Sequence, residues 1–357
     1  MSTTDNSDVG SIASEHNLSW RLGSDRSAVS ILPKPNGKAV RSSELTTKQG
    51  ESVGDGADQS PLFSQSWWWD AANPGEWDIV EYREDGRVIG ALPFRLHKRY
   101  HLRCIRMPTL ARVIKPKIEI ASEKPSTRNL KTKRTIQHLV DSLPRFDQFD
   151  LVLPPNSGLE LPFVLSGFNS ISSYTYTCGA DTVDDLWSLM HRKTRNNINC
   201  GKRSCEVELH YDLDRFMKIS SDPQSIKKGA DYNDYAAIER IWNACRARDS
   251  AAIITTNCDT AGDIASAIIV WDNSTLYYWL AARLPQAQRG GANSILIWEA
   301  IQVAKRKNLI FDADGYYHPA HGLFLAGFGL KPVIRPNISS SNRQWRFAEL
   351  FKPKMPS

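Results

Sequence analysis

The stretch from Tyr277 to Phe311 constrains the fold more tightly than any other part of the chain. Residues 275–282 read as a strand, 288–292 (Gln-Arg-Gly-Gly-Ala) as a glycine turn, and 309–311 as a second strand. Between them, residues 292–307 read as a helix whose Ile295, Leu296, Trp298, Ile301 and Val303 make a wide apolar face. Strand, turn, helix and strand in that order call for a mixed α/β architecture. Small residues in the turn let the backbone approach a ligand, and unpaired amides at a helix N-terminus favour phosphate oxygens. Arg289, Gly290, Gly291, Ala292, Asn293 and Ser294 are therefore candidates for a pyrophosphate seat. The competing reading is a glycine turn that leads into an ordinary helix cap.

The same alternation runs through the chain. Residues 77–82 and 88–96 flank an Asp-Gly step at 85–86, a hairpin signal. Residues 135–143 have helical spacing, 149–153 look like a strand, and the second half begins near Tyr174–Tyr176. Residues 184–203 read as one long helix with an acidic start and a cationic end, 232–248 as an amphipathic helix, and 263–271 as a strand. Residues 1–60 are rich in Ser, Thr, Gly and Asp, with too few apolar side chains to offset the entropy of ordering, and read as a flexible leader. Trp67, Trp68 and Trp69 follow Phe63 closely, so the folded part opens here. Adjacent aromatics cannot share one helix face, and they read as a packing wedge.

Composition sets the outer bounds. A net charge of +6 is too small to make a polyanion the default partner. No apolar run approaches the roughly 18 residues of a membrane span, and the opening residues lack the basic then apolar pattern of a secretory signal, so a cytoplasmic protein is expected. The six cysteines are scattered without a Cys-x-x-Cys pair and read as reduced, mostly buried thiols.

Three groups of side chains carry candidate chemistry. Asp312 and Asp314 point to one face of a continuing strand, where one could orient and the other accept a proton; the bland reading has both capping the turn before Gly315. His318 is an auxiliary base candidate, and with His321 it gives a local set of acids and imidazoles, although Pro319 opposes the spacing that would aim both rings at a metal, so none is expected. Arg192, Lys193 and Arg195 begin an acid-free run that could hold donor phosphates or form a solvated helix face. The cations of residues 124–134 read as a solvated loop.

The ordered segments Trp67-Trp68-Trp69-Asp70-Ala71, Pro74-Gly75-Glu76-Trp77-Asp78, Gly90-Ala91-Leu92-Pro93, Gly167-Phe168, Tyr174-Thr175-Tyr176, the basic run 192–202, residues 291–301 and Phe311-Asp312-Ala313-Asp314-Gly315 resemble the GNAT-like acyltransferases related to the Fem peptidyltransferases, often found with bacterial polysaccharide assembly. The resemblance spans roughly residues 62 to 335. It implies two GNAT-like units in tandem, each a twisted mixed sheet flanked by helices, here residues 61–170 and 171–357. It also implies an acetyl-CoA or other acyl-CoA donor, an amine or hydroxyl acceptor such as a sugar or cell-envelope precursor, and no metal. The family's donor loop, Gln/Arg-x-x-Gly-x-Gly/Ala, is matched by Gly290 and Ala292, while its first position is Ala287. Ala313 and Tyr316 likewise depart from the family's Phe-Asp-Phe-acid-Gly-Ser strand end. Fem-type relatives take aminoacyl-tRNA as donor, which stands as the alternative partner. A non-catalytic scaffold with a degenerate donor loop is the third reading.

Overall fold

The computed structural model describes residues 38–41, 60–99, 101–227, 234–258, 261–288, 291–316 and 318–350, all in one compact unit. Arg289 and Gly290 lie outside the described residues, as does most of the expected leader. Its one described piece, strand β1 (Lys38–Arg41), pairs with the edge of β2 (Asp78–Glu84), whose outer row of backbone groups would otherwise lack a partner. Helix α1 (Ser66–Ala72) precedes β2, and β2 forms the expected hairpin with β3 (Arg87–Arg99) across Asp85 and Gly86, both left-handed at φ 49° and 79°. The first half continues with β4 (Leu102–Arg106), β5 (Lys117–Ile118), α2 (Pro125–Asp141), β6 (Gln148–Val152), α3 (Glu160–Val164) and β7 (Asn169–Cys178).

The second half runs α4 (Val183–Leu189), α5 (Arg192–Ser204), β8 (Glu206–His210), α6 (Leu213–Ser221), β9 (Ile226–Lys227), α7 (Tyr235–Arg246), β10 (Ala251–Cys258), β11 (Gly262–Trp271) and β12 (Thr275–Arg283). Helix α8 (Ala292–Arg306), β13 (Ile310–Asp312), α9 (Pro319–Ala326), β14 (Lys331–Ser341) and α10 (Arg343–Leu350) complete it. The described strands join in one mixed sheet of order β1-β2-β3-β4-β6-β14-β7-β13-β12-β11-β10-β8, with β5 on β3 and β9 on β12. Two pairings among them are parallel, β4 with β6 and β12 with β13, so each half repeats an antiparallel run that ends in one parallel step. Strand β14, late in the chain, is inserted between β6 and β7 and stitches the halves together.

Two apolar clusters occupy the sheet faces. One holds Leu276, Tyr278, Leu296, Ala300 and Phe311 beneath α8. The other joins the first half's core to Tyr277 and Trp279 through α1. Trp68 is the wedge: it lies 4.7 Å from the Phe63 ring and 5.3 Å from Trp279, both edge-on, a geometry worth about 0.5–1.5 kcal/mol per pair beyond area burial. Trp69 packs 5.6 Å from Trp77, and Trp67 is half-buried at the edge of the core, under Arg248, as adjacency on a helix requires.

Three sequence expectations are corrected. The long helix over 184–203 is broken at Met190, which is extended (ψ 143°) and only 3% exposed, because sinking this side chain into the core takes the backbone off the helical path. His191 then starts α5, accepting the Lys193 amide on Nδ1 while its own amide donates to Gly327. The cations of residues 124–134 sit mostly on α2, which begins at Pro125 and is anchored through Thr135, Ile136 and Leu139. Finally, Cys205 and Cys258 form a disulfide: they extend the β8–β10 ladder one step past Glu206 and Asn257, with Cα atoms 4.3 Å apart. Cys104, Cys178 and Cys245 are buried free thiols as expected, and Cys200 is half-buried.

Candidate active site

Strands β12 and β13 stay in register only at Thr275 with Ile310, Leu276 with Phe311 and Tyr277 with Asp312. Asp314 and Gly315 then turn left-handed, at φ 61° and 78°, and end the β13 run, while β12 continues to Arg283. Strand β9 covers β12 again at Ala282 and Arg283. Residues 278–281 are therefore the short window of β12 that lies between its pairings with β13 and β9. A bulge at Trp279 lies in this window, since Ile268 faces Leu280 and Ile269 faces Tyr278. Its indole N–H donates to the Leu110 carbonyl at 2.8 Å, and Leu110 holds a left-handed φ of 62°, a strained conformation for a branched side chain.

Helix α8 packs against β12 and begins after the turn that follows it. Gly291 caps it at φ 78°, and a Cβ there would lie 2.0 Å from the Asn197 carbonyl oxygen of α5, so only glycine fits. Ser294 and Ile295 return their amides to the Gly291 carbonyl, which leaves Ala292 and Asn293 with first-turn amides that precede the helical ladder. Gly291 and Asn293 are half-buried, whereas Ala292 and Ser294 are buried. The basic run does not converge here. Arg195 turns back and donates to the Trp187 and Ser188 carbonyls at 3.1 and 3.0 Å, while Arg192 and Lys193 are exposed at the far end of α5, near α9.

The acidic strand end is a buried ion cluster. The strand ends at Asp312, so Asp314 is not on a continuing strand face; the two acids instead converge on one cation, and their acceptor sites are occupied. Arg335 of β14, 4% exposed, donates to Asp312 Oδ2 at 2.8 Å and to Asp314 Oδ1 at 3.1 Å. Asp312 Oδ1 accepts from the Thr175 hydroxyl at 2.5 Å and from the Asp314 amide at 2.8 Å. Arg112 Nε donates to Asp314 Oδ2 at 2.8 Å, and its Nη2 lies 3.5 Å from the Trp279 carbonyl. Burial works against the charge of Arg335, but the two carboxylates override it and hold its proton more firmly than in water. Tyr277 faces the same cluster; burial first, then Asp272 and Asp312, hold its phenol well above the ordinary value, so it stays protonated.

His318 is exposed at the N-cap of α9, where its Nδ1 accepts the Ala320 amide at 3.1 Å; it is not hydrogen-bonded to either aspartate. Among the described residues no three His, Cys, Asp or Glu side chains group as a metal site. Sequence reasoning overlooked Arg112, Arg335 and Tyr277. The available signal was Arg335 itself, a lone cation in Val333-Ile334-Arg335-Pro336, where a strand needs a reason to bury charge.

A family model described as an acetyltransferase (GNAT) domain matches residues 180–313, the part of the chain that contains the β12–α8–β13 unit. Residues 180–313 thus resemble a GNAT-type acetyltransferase domain, and the fold of the chain is similar to that of FemX. Among solved structures, FemX is similar at a TM-score of 0.56 and 13% identity, over 81% of this chain and 94% of that one. A structure titled L-PGS from Bacillus licheniformis is similar at a TM-score of 0.50 and 10% identity, over 79% of this chain and 89% of that one. No curated protein matches the sequence.

Proposed function

We propose that the protein transfers an acyl group from an acyl-CoA, acetyl-CoA or a longer thioester, to an amine or hydroxyl of a sugar or other cell-envelope precursor. The observation that carries this reading is the start of α8, where only glycine fits at Gly291 against α5 and the first-turn amides of Ala292 and Asn293 precede the helical ladder. The donor's diphosphate would sit on the amides of Gly291, Ala292 and Asn293, with Arg289, Gly290 and Ser294 completing the loop and first turn. Its thioester arm would run along β12, whose backbone polarises the acyl carbonyl.

In this reading donor and acceptor meet directly, without a covalent enzyme intermediate. Asp312 and Asp314 act through Arg335 and Arg112, holding the strand end and the Trp279 bulge in register. Tyr277, kept protonated by its surroundings, stays a neutral neighbour of the acids, and the departing thiolate takes its proton from water. The acceptor's proton leaves to water or to His318, whose Nδ1 is engaged in the helix cap while Nε2 is not. Calorimetry with acetyl-CoA, longer acyl-CoAs and charged tRNA tests the donor: saturable acyl-CoA binding is expected. Binding of tRNA alone, lost on neutralising Arg192, Lys193 and Arg195, would replace this reading with aminoacyl transfer. Silence from every donor would leave a scaffold.

A further inference from the structure

The donor loop of this chain has alanine where the resembling family places a cation or amide, and the fold makes that absence complete. Ala287 is fully buried, its amide donates to the Leu284 carbonyl, and its methyl lies in the apolar cluster with Ala292. It has no atom to offer a ligand. Four residues earlier, at the end of β12, stands Arg283. It faces Ala265 of β11 and shares a strand face with Ala281, both in the cluster beneath α8. The chain leaves Arg283, makes a short turn over Pro285–Gln288 and returns at Gly291, so this guanidinium and the first turn of α8 are at the same end of the same layer.

Arg283 is half-buried, yet among the described residues its guanidinium makes no hydrogen bond and no ion pair, while its backbone stays in the ladder with Ala265 and Ile226. The contrast with its neighbours is sharp: Arg215 holds Asp263 and Glu208, Arg335 holds two aspartates, and Arg195 holds two carbonyls. A guanidinium carries donors in a planar fork, and taking it partly out of water without a partner costs free energy that an arriving anion would return. Burial accordingly pulls its proton affinity below the ordinary arginine value, with Tyr278 opposing in lesser part.

We infer that Arg283 is the donor-binding cation of this protein, standing in for the side chain missing at Ala287 and contacting the diphosphate of the carrier held at the start of α8. The inference rests on the acyl-CoA reading above. Its chemistry is specific, because a planar cation beside backbone amides grips two non-bridging phosphate oxygens at once.

The test is calorimetric binding of CoA and of dephospho-CoA to the full chain carrying Arg283→Gln or Arg283→Lys. Loss of one charge-assisted contact is expected to weaken both ligands by the same factor, about tenfold to a hundredfold, with lysine restoring part of it. The salt dependence of binding should become shallower in Arg283→Gln by roughly one phosphate contact, which a purely structural role would not produce. Undiminished CoA binding by a folded Arg283→Gln overturns the inference and leaves the donor reading standing. A loss for CoA with none for dephospho-CoA moves the cation to the 3′-phosphate and overturns the diphosphate assignment. Failure of the unaltered protein to bind either ligand removes the donor reading and this inference with it. If Arg283→Gln does not fold, the lysine variant decides: it must bind both ligands with an unchanged salt slope.

Discussion

Replacing Arg335 by methionine isolates the energetics of the buried cluster. The substitution keeps an unbranched stem in the β6–β14–β7 ladder while removing two charge-assisted bonds, at 2.8 and 3.1 Å, from carboxylates whose side chains are 4% and 0% exposed. Asp314 would retain Arg112, but Asp312 would keep only the Thr175 hydroxyl and the Asp314 amide. Removing one partner of a buried ion pair leaves an uncompensated charge and costs about 3–5 kcal/mol. That is a large share of the roughly 5–15 kcal/mol by which domains are stable, and corresponds to a fall in Tm of about 4–8 °C for a unit this large. Urea unfolding followed by tryptophan fluorescence measures it, with Trp68 and Trp279 buried against each other as the reporter. A variant that also carries Asp312→Asn and Asp314→Asn should recover part of the loss, because no charge is then left unpaired. A single variant within 1 kcal/mol of the parent, or a triple variant no better than the single, would refute the argument that charge compensation holds the strand end.

Asp150 gives a pH test. Burial holds its carboxyl above the usual range, with the Arg106 charge and Asn337 pulling it back in part. A raised folded-state pKa means the folded chain binds the proton more tightly, so this contribution is present below the unfolded value near 3.9 and is lost as pH rises through the folded one. Asp150→Asn should therefore be more stable than the parent near neutral pH, with the gain vanishing toward pH 3.5; parallel stability curves would contradict this. Among the free cysteines, half-buried Cys200 should label quickly in the native protein, while burial keeps Cys104, Cys178 and Cys245 protonated and slow. Reduction should expose two more reactive thiols and lower stability by up to about 4 kcal/mol, the chain-entropy value for a 53-residue separation; a native protein with three fast thiols before reduction would exclude the disulfide.

Local pattern carried much of this protein into view. The Asp-Gly hairpin, β12, the glycine turn and α8 were legible because turn chemistry and apolar period act over a few neighbouring residues, and the capping glycine proved to sit where no other side chain fits. Strand β10 was not legible: all but its last two residues are buried, so it lacks the alternation of a strand with one wet face. The break at Met190 was also hidden, because its cause is a core contact and not a local preference.

The acids at 312 and 314 were visible in the sequence, but what they do was decided by partners brought from afar. Arg112 is separated from Asp314 by 202 residues, and Arg335 reaches both acids only because β14 is threaded between β6 and β7. The same holds for the pairing of Cys205 with Cys258, which strand register made, and for Arg283, whose significance is that its guanidinium has no counterion among the described residues. Periodicity and turns are properties of adjacent residues and can be read in order. Charge compensation and desolvation depend on everything within a few ångströms in space, and only the folded chain determines that neighbourhood.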